Sequence, residues 1–236
     1  MTTDIQTFAA GSTWAAACAE RLTGALSDAL AANGRAVFAG SGGSTPTPIY
    51  HLMAETDLDW ARVVVTLVDE RNVPENGEAS NAGLLKRTLL TARAATARFE
   101  PLFHPAVTVD RAAAMATTGL KPEGRLDAVL LGMGEDGHIC SMFPGSPTLK
   151  TLLSPGLNPA VLGVPAGREG LAPSLERLSI NLPYLIQAGR VVLALTGAKK
   201  RAVFEQQAAG DPAVTPIAAL IAHGVPLEVL WTETAP

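Results

Sequence analysis

The segment Gly132-Met133-Gly134-Glu135-Asp136-Gly137-His138 sets a carboxylate two residues from an imidazole, among three glycines that free the backbone around both. An imidazole with the ordinary pKa of about 6.5 takes a proton from water near neutral pH, which is the work of a general base. The chain has four histidines. His51, His104 and His223 read as structural or solvated, whereas the glycines beside His138 open it to a cleft. His138, Cys140 and the acids around them match no metal-ligand spacing, so neither a metal nor a cofactor is expected.

Three further segments concentrate chemistry. Ser41-Gly42-Gly43-Ser44-Thr45-Pro46 suits a backbone-amide cradle for an anion, with the hydroxyls of Ser44 and Thr45 as added donors and Pro46 in the first turn of a following helix. Its glycine spacing is not that of a dinucleotide-binding turn, and it lacks the Gly-Lys-Ser/Thr of a nucleotide P-loop. The bland alternative is a tight strand-to-helix turn. Asp69-Glu70-Arg71 reads either as an ion-pair knot or as a working site. In the second case Arg71 meets a phosphate or an oxyanion bidentately, and Asp69 positions a sugar hydroxyl or a proton-carrying group. Lys199 and Lys200 open a helix, where cations oppose the helix dipole unless an anion sits nearby or both point into water. Arg177 is a candidate donor or a surface residue.

What positions these segments is a series of short apolar runs: Ala36–Ala39, Val63–Val68, Ala128–Leu131, Val191–Leu195 and Leu227–Trp231. Each suits a strand buried on both faces. Helical spacing appears from Trp14 through Cys18, Leu22, Leu26 and Leu30 to a stop at Asn33-Gly34. It recurs over Asn81–Leu90 (capped by Ser80 or Asn81), Lys199–Gln207 and Thr215–Ala222, the last with Pro216 in its first position. Alternating strands and helices predict an α/β fold, a doubly wound, mostly parallel sheet with helices on both faces. The four chemical segments follow four successive strands, so all of them emerge at the carboxyl edge, where open α/β sheets bind ligands. The Gly- and Pro-rich stretch from Pro144 to Pro173 reads as long loops with a short strand at Val161–Val164.

Composition limits the rest. The chain has 236 residues, 47% apolar and 17% charged, with a net charge of -4. That describes a globular protein, read here as one domain over 1–236, with no basic face for nucleic acid. No apolar run is long enough for a membrane span, and the first residues lack the basic start of a secretion signal. The two cysteines, Cys18 and Cys140, read as reduced thiols, and the cytoplasm is the expected compartment. Nothing indicates an oligomeric state.

The motifs Ser41–Pro46, Asp69-Glu70-Arg71 with Val73-Pro74, and Ser80-Asn81 resemble the N-terminal motifs of 6-phosphogluconolactonases. The run from Gly132 to Gly145 resembles that family's main signature, and Arg177–Pro183 and Thr196–Lys200 its later segments. Cys140 stands where an alanine is common. The resemblance implies a fold related to glucosamine-6-phosphate deaminases and ribose-5-phosphate isomerases. It also implies hydrolysis of a phosphorylated sugar lactone, the second step of the oxidative pentose phosphate route. In that reading His138 is the general base, with Asp136 or Asp69 orienting it. Arg71, Arg177 and Lys200 hold the substrate together with Ser41, Gly42, Gly43, Ser44 and Thr45. Two rivals stand beside it: an amino-sugar-phosphate deaminase or isomerase, and a non-catalytic sugar-phosphate sensor. Deaminases carry a Phe-Asn-Glu segment after Asp-Gly-His, and the stretch Ile139–Pro144 here has no acid. Retention of both Asp136 and His138 argues against the sensor.

Overall fold

The computed structural model describes residues 4–106, 108–168 and 172–234. In chain order its elements are β1 (Ile5–Phe8), α1 (Gly11–Asn33), β2 (Ala36–Gly40), α2 (Thr47–Glu55), β3 (Val63–Leu67), β4 (Asp69–Arg71), α3 (Asn81–Thr88), β5 (Arg98–Phe99) and α4 (Val109–Leu120). There follow β6 (Ala128–Leu131), α5 (Leu149–Leu152), β7 (Val161–Val164), β8 (Arg177–Ile180), α6 (Leu182–Ile186), β9 (Arg190–Thr196), α7 (Ala198–Ala208), α8 (Pro216–Ala222) and β10 (Leu227–Thr232).

Seven strands form the main sheet in the order β1-β10-β9-β6-β2-β3-β5, and every pairing in it is parallel. All side chains of β2, β3 and β6 are buried. Successive residues of a strand face opposite sides, so both faces of the sheet are covered, as the Val- and Leu-rich runs predict. Along α1, Trp14, Cys18, Leu22 and Leu26 are fully buried, and the Trp14 indole donates to the Leu230 carbonyl at 3.0 Å, tying this helix to β10. The helix stops where expected: Gly34 takes φ 73°, and its amide donates to the Leu30 carbonyl. The edge strands β1 and β5 and helix α4 are additions to the elements read from the sequence.

The main correction concerns Asp69-Glu70-Arg71, expected as a loop. These residues are β4, which pairs antiparallel with β8 in a second, three-stranded sheet of order β4-β8-β7. Val68 is the pivot. Its amide donates to the Gly40 carbonyl of the main sheet at 2.9 Å, and its own carbonyl accepts from the Ile180 amide of the small sheet at 3.0 Å. Val161–Val164 is a strand as expected, and Thr117 of α4 anchors it through hydrogen bonds to the Val161 amide and carbonyl. Pro46 precedes α2 rather than opening it, and Pro48 takes the place inside the first turn.

Glu70 fastens the small sheet to α3. Its side chain is fully buried. One carboxylate oxygen accepts from the amides of Arg71 and Asn81, both at 2.8 Å; the other accepts from the Ala82 amide at 2.7 Å and the Ser80 hydroxyl at 3.1 Å. Ser80 caps α3 by accepting from the Gly83 amide. A carboxylate at a helix N-terminus gains from the exposed amides there. Burial pushes the Glu70 carboxyl up, and the amides of Ala82, Asn81 and Arg71 pull it back. Replacement Glu70→Ala leaves three interior amides without acceptors, at about 1–3 kcal/mol each before relaxation. Urea unfolding should therefore show a loss of roughly 3 kcal/mol or more at unchanged m-value; a loss below about 1 kcal/mol would mean that water replaces the carboxylate.

Candidate active site

The carboxyl ends of β2, β6 and β9 converge with β4 and β8 around a cavity of about 320 Å³. Its wall brings together Ser41 to Thr45 from the β2–α2 loop, Asp69 and Arg71 from β4, His138 from the β6 loop, Arg177 from β8 and Lys200 from α7. Asp136 lies behind His138 rather than in the wall. Asn81, Met133, Cys140 and Phe143 also line the space, and none of these four stands out as a site residue in the sequence. Among the described residues no group of three or more His, Cys, Asp or Glu side chains could hold a metal ion.

His138 is held from two sides. Its Nδ1 lies 2.5 Å from Asp136 Oδ1, and its ring lies against Phe143 with centroids 4.2 Å apart and planes tilted by 34°. The same Asp136 oxygen accepts from the His138 amide at 3.2 Å, so a single carboxylate contacts both backbone and ring. Hydrogen bonding to His138, outweighing its own partial burial, holds the Asp136 carboxyl below the usual range. An ionised carboxylate accepts only, so Nδ1 carries the proton and Nε2 is the basic nitrogen. Asp69, the other candidate partner, shares the cavity wall with His138 but is bonded to other groups. Its Oδ2 accepts from the Ser141 hydroxyl at 2.6 Å and stands 3.9 Å from Arg177 Nη1.

The loop can bring these groups together because Gly134 has no side chain. A β-carbon there would overlap the His138 ring at Cε1 and Nδ1 and crowd Asp136 Oδ1. Outside the cavity, Lys199 forms an ion pair with Glu135 and so ties α7 to the same loop. That pairing separates the two lysines: Lys199 faces a carboxylate, and Lys200 faces the cavity.

The cationic side is built through Asn81. Its side-chain oxygen accepts from Arg71 Nη1 at 2.8 Å, its nitrogen donates to the Asp69 carbonyl at 2.9 Å, and Arg71 Nη1 also reaches the Ala79 carbonyl at 2.6 Å. Gly42 must be glycine for the same reason, since a β-carbon at that position would run into the Asn81 amide. Burial lowers the Arg177 pKa from its ordinary value; Asp69 opposes the shift and Arg71 adds to it. Burial and the charge of Asp69 push the Cys140 thiol well up, which keeps it protonated.

Several donors in this wall have no acceptor within the protein among the described residues. Ser41 Oγ, Arg71 Nε and Arg177 Nε are buried without a hydrogen-bond partner among the described residues. Within the described residues no hydrogen bond uses the amides of Gly43, Ser44 or Thr45. The Tyr50 hydroxyl, kept protonated by burial, holds this loop by donating to the Ser41 carbonyl at 2.6 Å. A buried donor without an acceptor costs about 1–3 kcal/mol. Several of them in one cavity, beside three cationic side chains, suit an anionic ligand rich in oxygen.

Residues 10–231 match the family described as glucosamine-6-phosphate isomerases/6-phosphogluconolactonase. The chain belongs to that family. A 6-phosphogluconolactonase of Caulobacter vibrioides is 42% identical over 218 residues, 92% of each chain. The crystal structure of a 6-phosphogluconolactonase from Shewanella baltica superposes with a TM-score of 0.90 at 32% identity, covering 98% of both chains. A monomeric glucosamine-6-phosphate deaminase shares the fold, with a TM-score of 0.75 at 18% identity and 97% of both chains covered. The deaminase and the lactonase therefore stand on one scaffold, and the fold by itself does not choose between their activities.

The packing of Gly134 yields a test that needs no turnover. Gly134→Ala should displace the imidazole from Asp136. The Asp136 carboxyl, now held down by the His138 hydrogen bond, should then titrate at higher pH. Carbon-13 NMR of labelled aspartate reads this directly, and an Asp136 titration unchanged by the substitution would show that the β-carbon is accommodated without moving the ring.

Proposed function

We propose that the chain hydrolyses 6-phospho-D-glucono-1,5-lactone to 6-phosphogluconate, the second step of the oxidative pentose phosphate route, with His138 as general base. The observation that carries this reading is the Asp136 carboxylate at His138 Nδ1, which leaves Nε2 as the proton acceptor of an imidazole lining the cavity. The amides and hydroxyls of the Ser41–Thr45 loop, with Lys200 and Arg177, anchor the phosphate and so place the lactone carbonyl near His138. Water loses a proton to Nε2 as its oxygen bonds to the carbonyl carbon. Arg71 or the loop amides stabilise the tetrahedral oxyanion, at roughly 3–4 kcal/mol per donor. Collapse of that intermediate breaks the bond to the ring oxygen, which receives the proton from the imidazolium.

The deaminase reading lacks its acid. Asp69 is the carboxylate in the cavity wall, and it is engaged by Ser141, Asn81 and Arg177. Where the deaminase motif has a glutamate, this chain brings Cys140 and Phe143 to the wall. The named lactonases among its relatives support the same choice. No helix among the described residues is long and apolar enough to cross a membrane, which is compatible with the expected cytoplasmic location.

Two measurements test this function. His138→Asn keeps a polar side chain but cannot take up the proton, so turnover above a protein-free control should fall by about a hundred- to ten-thousandfold. Product binding and fold should persist. Most of the parent rate surviving in a folded His138→Asn protein would remove His138 as the base. The second measurement concerns the phosphate. Lys200→Ala should reduce kcat/KM for the phosphorylated lactone by about ten- to a hundredfold, the worth of a charge-assisted contact. Unphosphorylated gluconolactone should be nearly unaffected, and equal losses on both substrates would place the phosphate away from Lys200.

A further inference from the structure

Phe143 sits five residues beyond His138 and is brought back against it by a tight reversal of the chain. Cys140 takes φ 50°, and the Met142 amide donates to the Ile139 carbonyl at 2.9 Å. The Phe143 ring is 4% exposed. It lines the cavity, lies 4.2 Å from the imidazole centroid, and has the Arg177 guanidinium carbon 5.7 Å from its own centroid. One aromatic ring thus touches both the side chain read as the base and one of the side chains read as phosphate anchors.

The geometry has a mechanical consequence. The Asp136 hydrogen bond fixes the distance of Nδ1, but it leaves the imidazole free to swing about the bond axis. A ring packed against the imidazole face removes that freedom. Hydrogen bond and stacked face together define where Nε2 points, and neither does so alone. The aromatic face also suits the charge that develops, because an imidazolium over a π surface is attracted by the ring quadrupole.

Resting on the base assignment for His138, we propose that Phe143 is a positioning residue which fixes the plane of the His138 imidazole and so directs Nε2 at the attacking water. It does not touch the reacting atoms; it acts through His138. A misplacement of about 1 Å in a reacting group costs on the order of a hundredfold in rate. Removing the ring should therefore appear in kcat and leave KM for the phosphorylated lactone within about twofold.

The test compares Phe143→Leu and Phe143→Met, which keep apolar bulk without a ring, with Phe143→Tyr, which keeps the ring. Two ring-free variants are used so that the comparison survives if one of them fails to fold. Both should lose about ten- to a hundredfold in kcat, and the tyrosine variant should retain most of it. In a His138→Asn background the ring-free substitutions should cost nothing further, because the side chain they position is gone. Proton NMR of the His138 ring gives a readout independent of turnover: its carbon-bound protons should lose the ring-current shift in the leucine and methionine variants and keep it in the tyrosine variant. The proposal is overturned if kcat stays within twofold without the ring, if the loss lies in KM, or if it persists undiminished in the His138→Asn background. Should His138→Asn itself retain turnover, the base assignment fails. The NMR shifts then still report whether Phe143 holds the imidazole.

Discussion

A carboxylate sealed from water beneath the first turn of α3 holds the two halves of the site in register. Glu70 accepts from the amides on both sides of the β4–α3 connection, so strand and helix cannot part without leaving interior donors unpaired. Its neighbours in sequence and space line the cavity. Asp69 and Arg71 flank it on β4, and Asn81 begins the helix it binds. The Asn81 side chain then links Arg71 and the Asp69 carbonyl and packs close against Gly42. A single buried acid thereby holds Arg71 of the small sheet and Asn81 of α3 together beside the Ser41–Thr45 loop.

The cationic wall is held in tension. Arg71 and Arg177 are cross-strand partners in β4 and β8, and the Arg177 pKa is lowered chiefly by burial, with the charge of Arg71 adding to the shift and Asp69 opposing it. Opposed like charges on paired strands are destabilising in the absence of a counter-ion. Asp69 offers partial relief at 3.9 Å, while the Nε atoms of both arginines remain without acceptors. An oxyanion entering between them relieves the repulsion and satisfies the donors together. The net charge of -4 conceals this arrangement, which is local.

Much of this was legible in the chain, for physical reasons that also explain what was not. The central strands are buried on both faces, so they read as unbroken Val and Leu runs. The functional loops follow them directly, and their glycines mark where backbone must approach backbone or ligand. The small sheet was hidden because β4 is Asp-Glu-Arg, three residues with little intrinsic preference for a strand, stabilised by pairing with a distant segment. Glu70 looked like one acid of an ion-pair knot because its partners are mostly amides, which have no signature in sequence. The choice between Asp136 and Asp69 as neighbour of the imidazole was open for the same reason. It turns on the Gly134 turn and on Ser141, whose hydroxyl occupies Asp69.

The fold shared with a glucosamine-6-phosphate deaminase shifts the question of function onto a few atoms. Both chemistries begin from a sugar phosphate, so the anion cradle and the arginines do not discriminate between them. Ring opening of an amino sugar and proton movement along its carbon chain need carboxylates with free oxygens. In this cavity the wall carboxylate has its Oδ2 taken by Ser141, with Arg177 nearby, and Asn81 at its Oδ1. Lactone hydrolysis asks for less: one base that can accept a proton from water and return it to the leaving oxygen. The imidazole of His138, proton-bearing toward Asp136 and basic on its other nitrogen, matches that requirement. The segment that follows it supplies an aromatic face at Phe143 in place of a second acid.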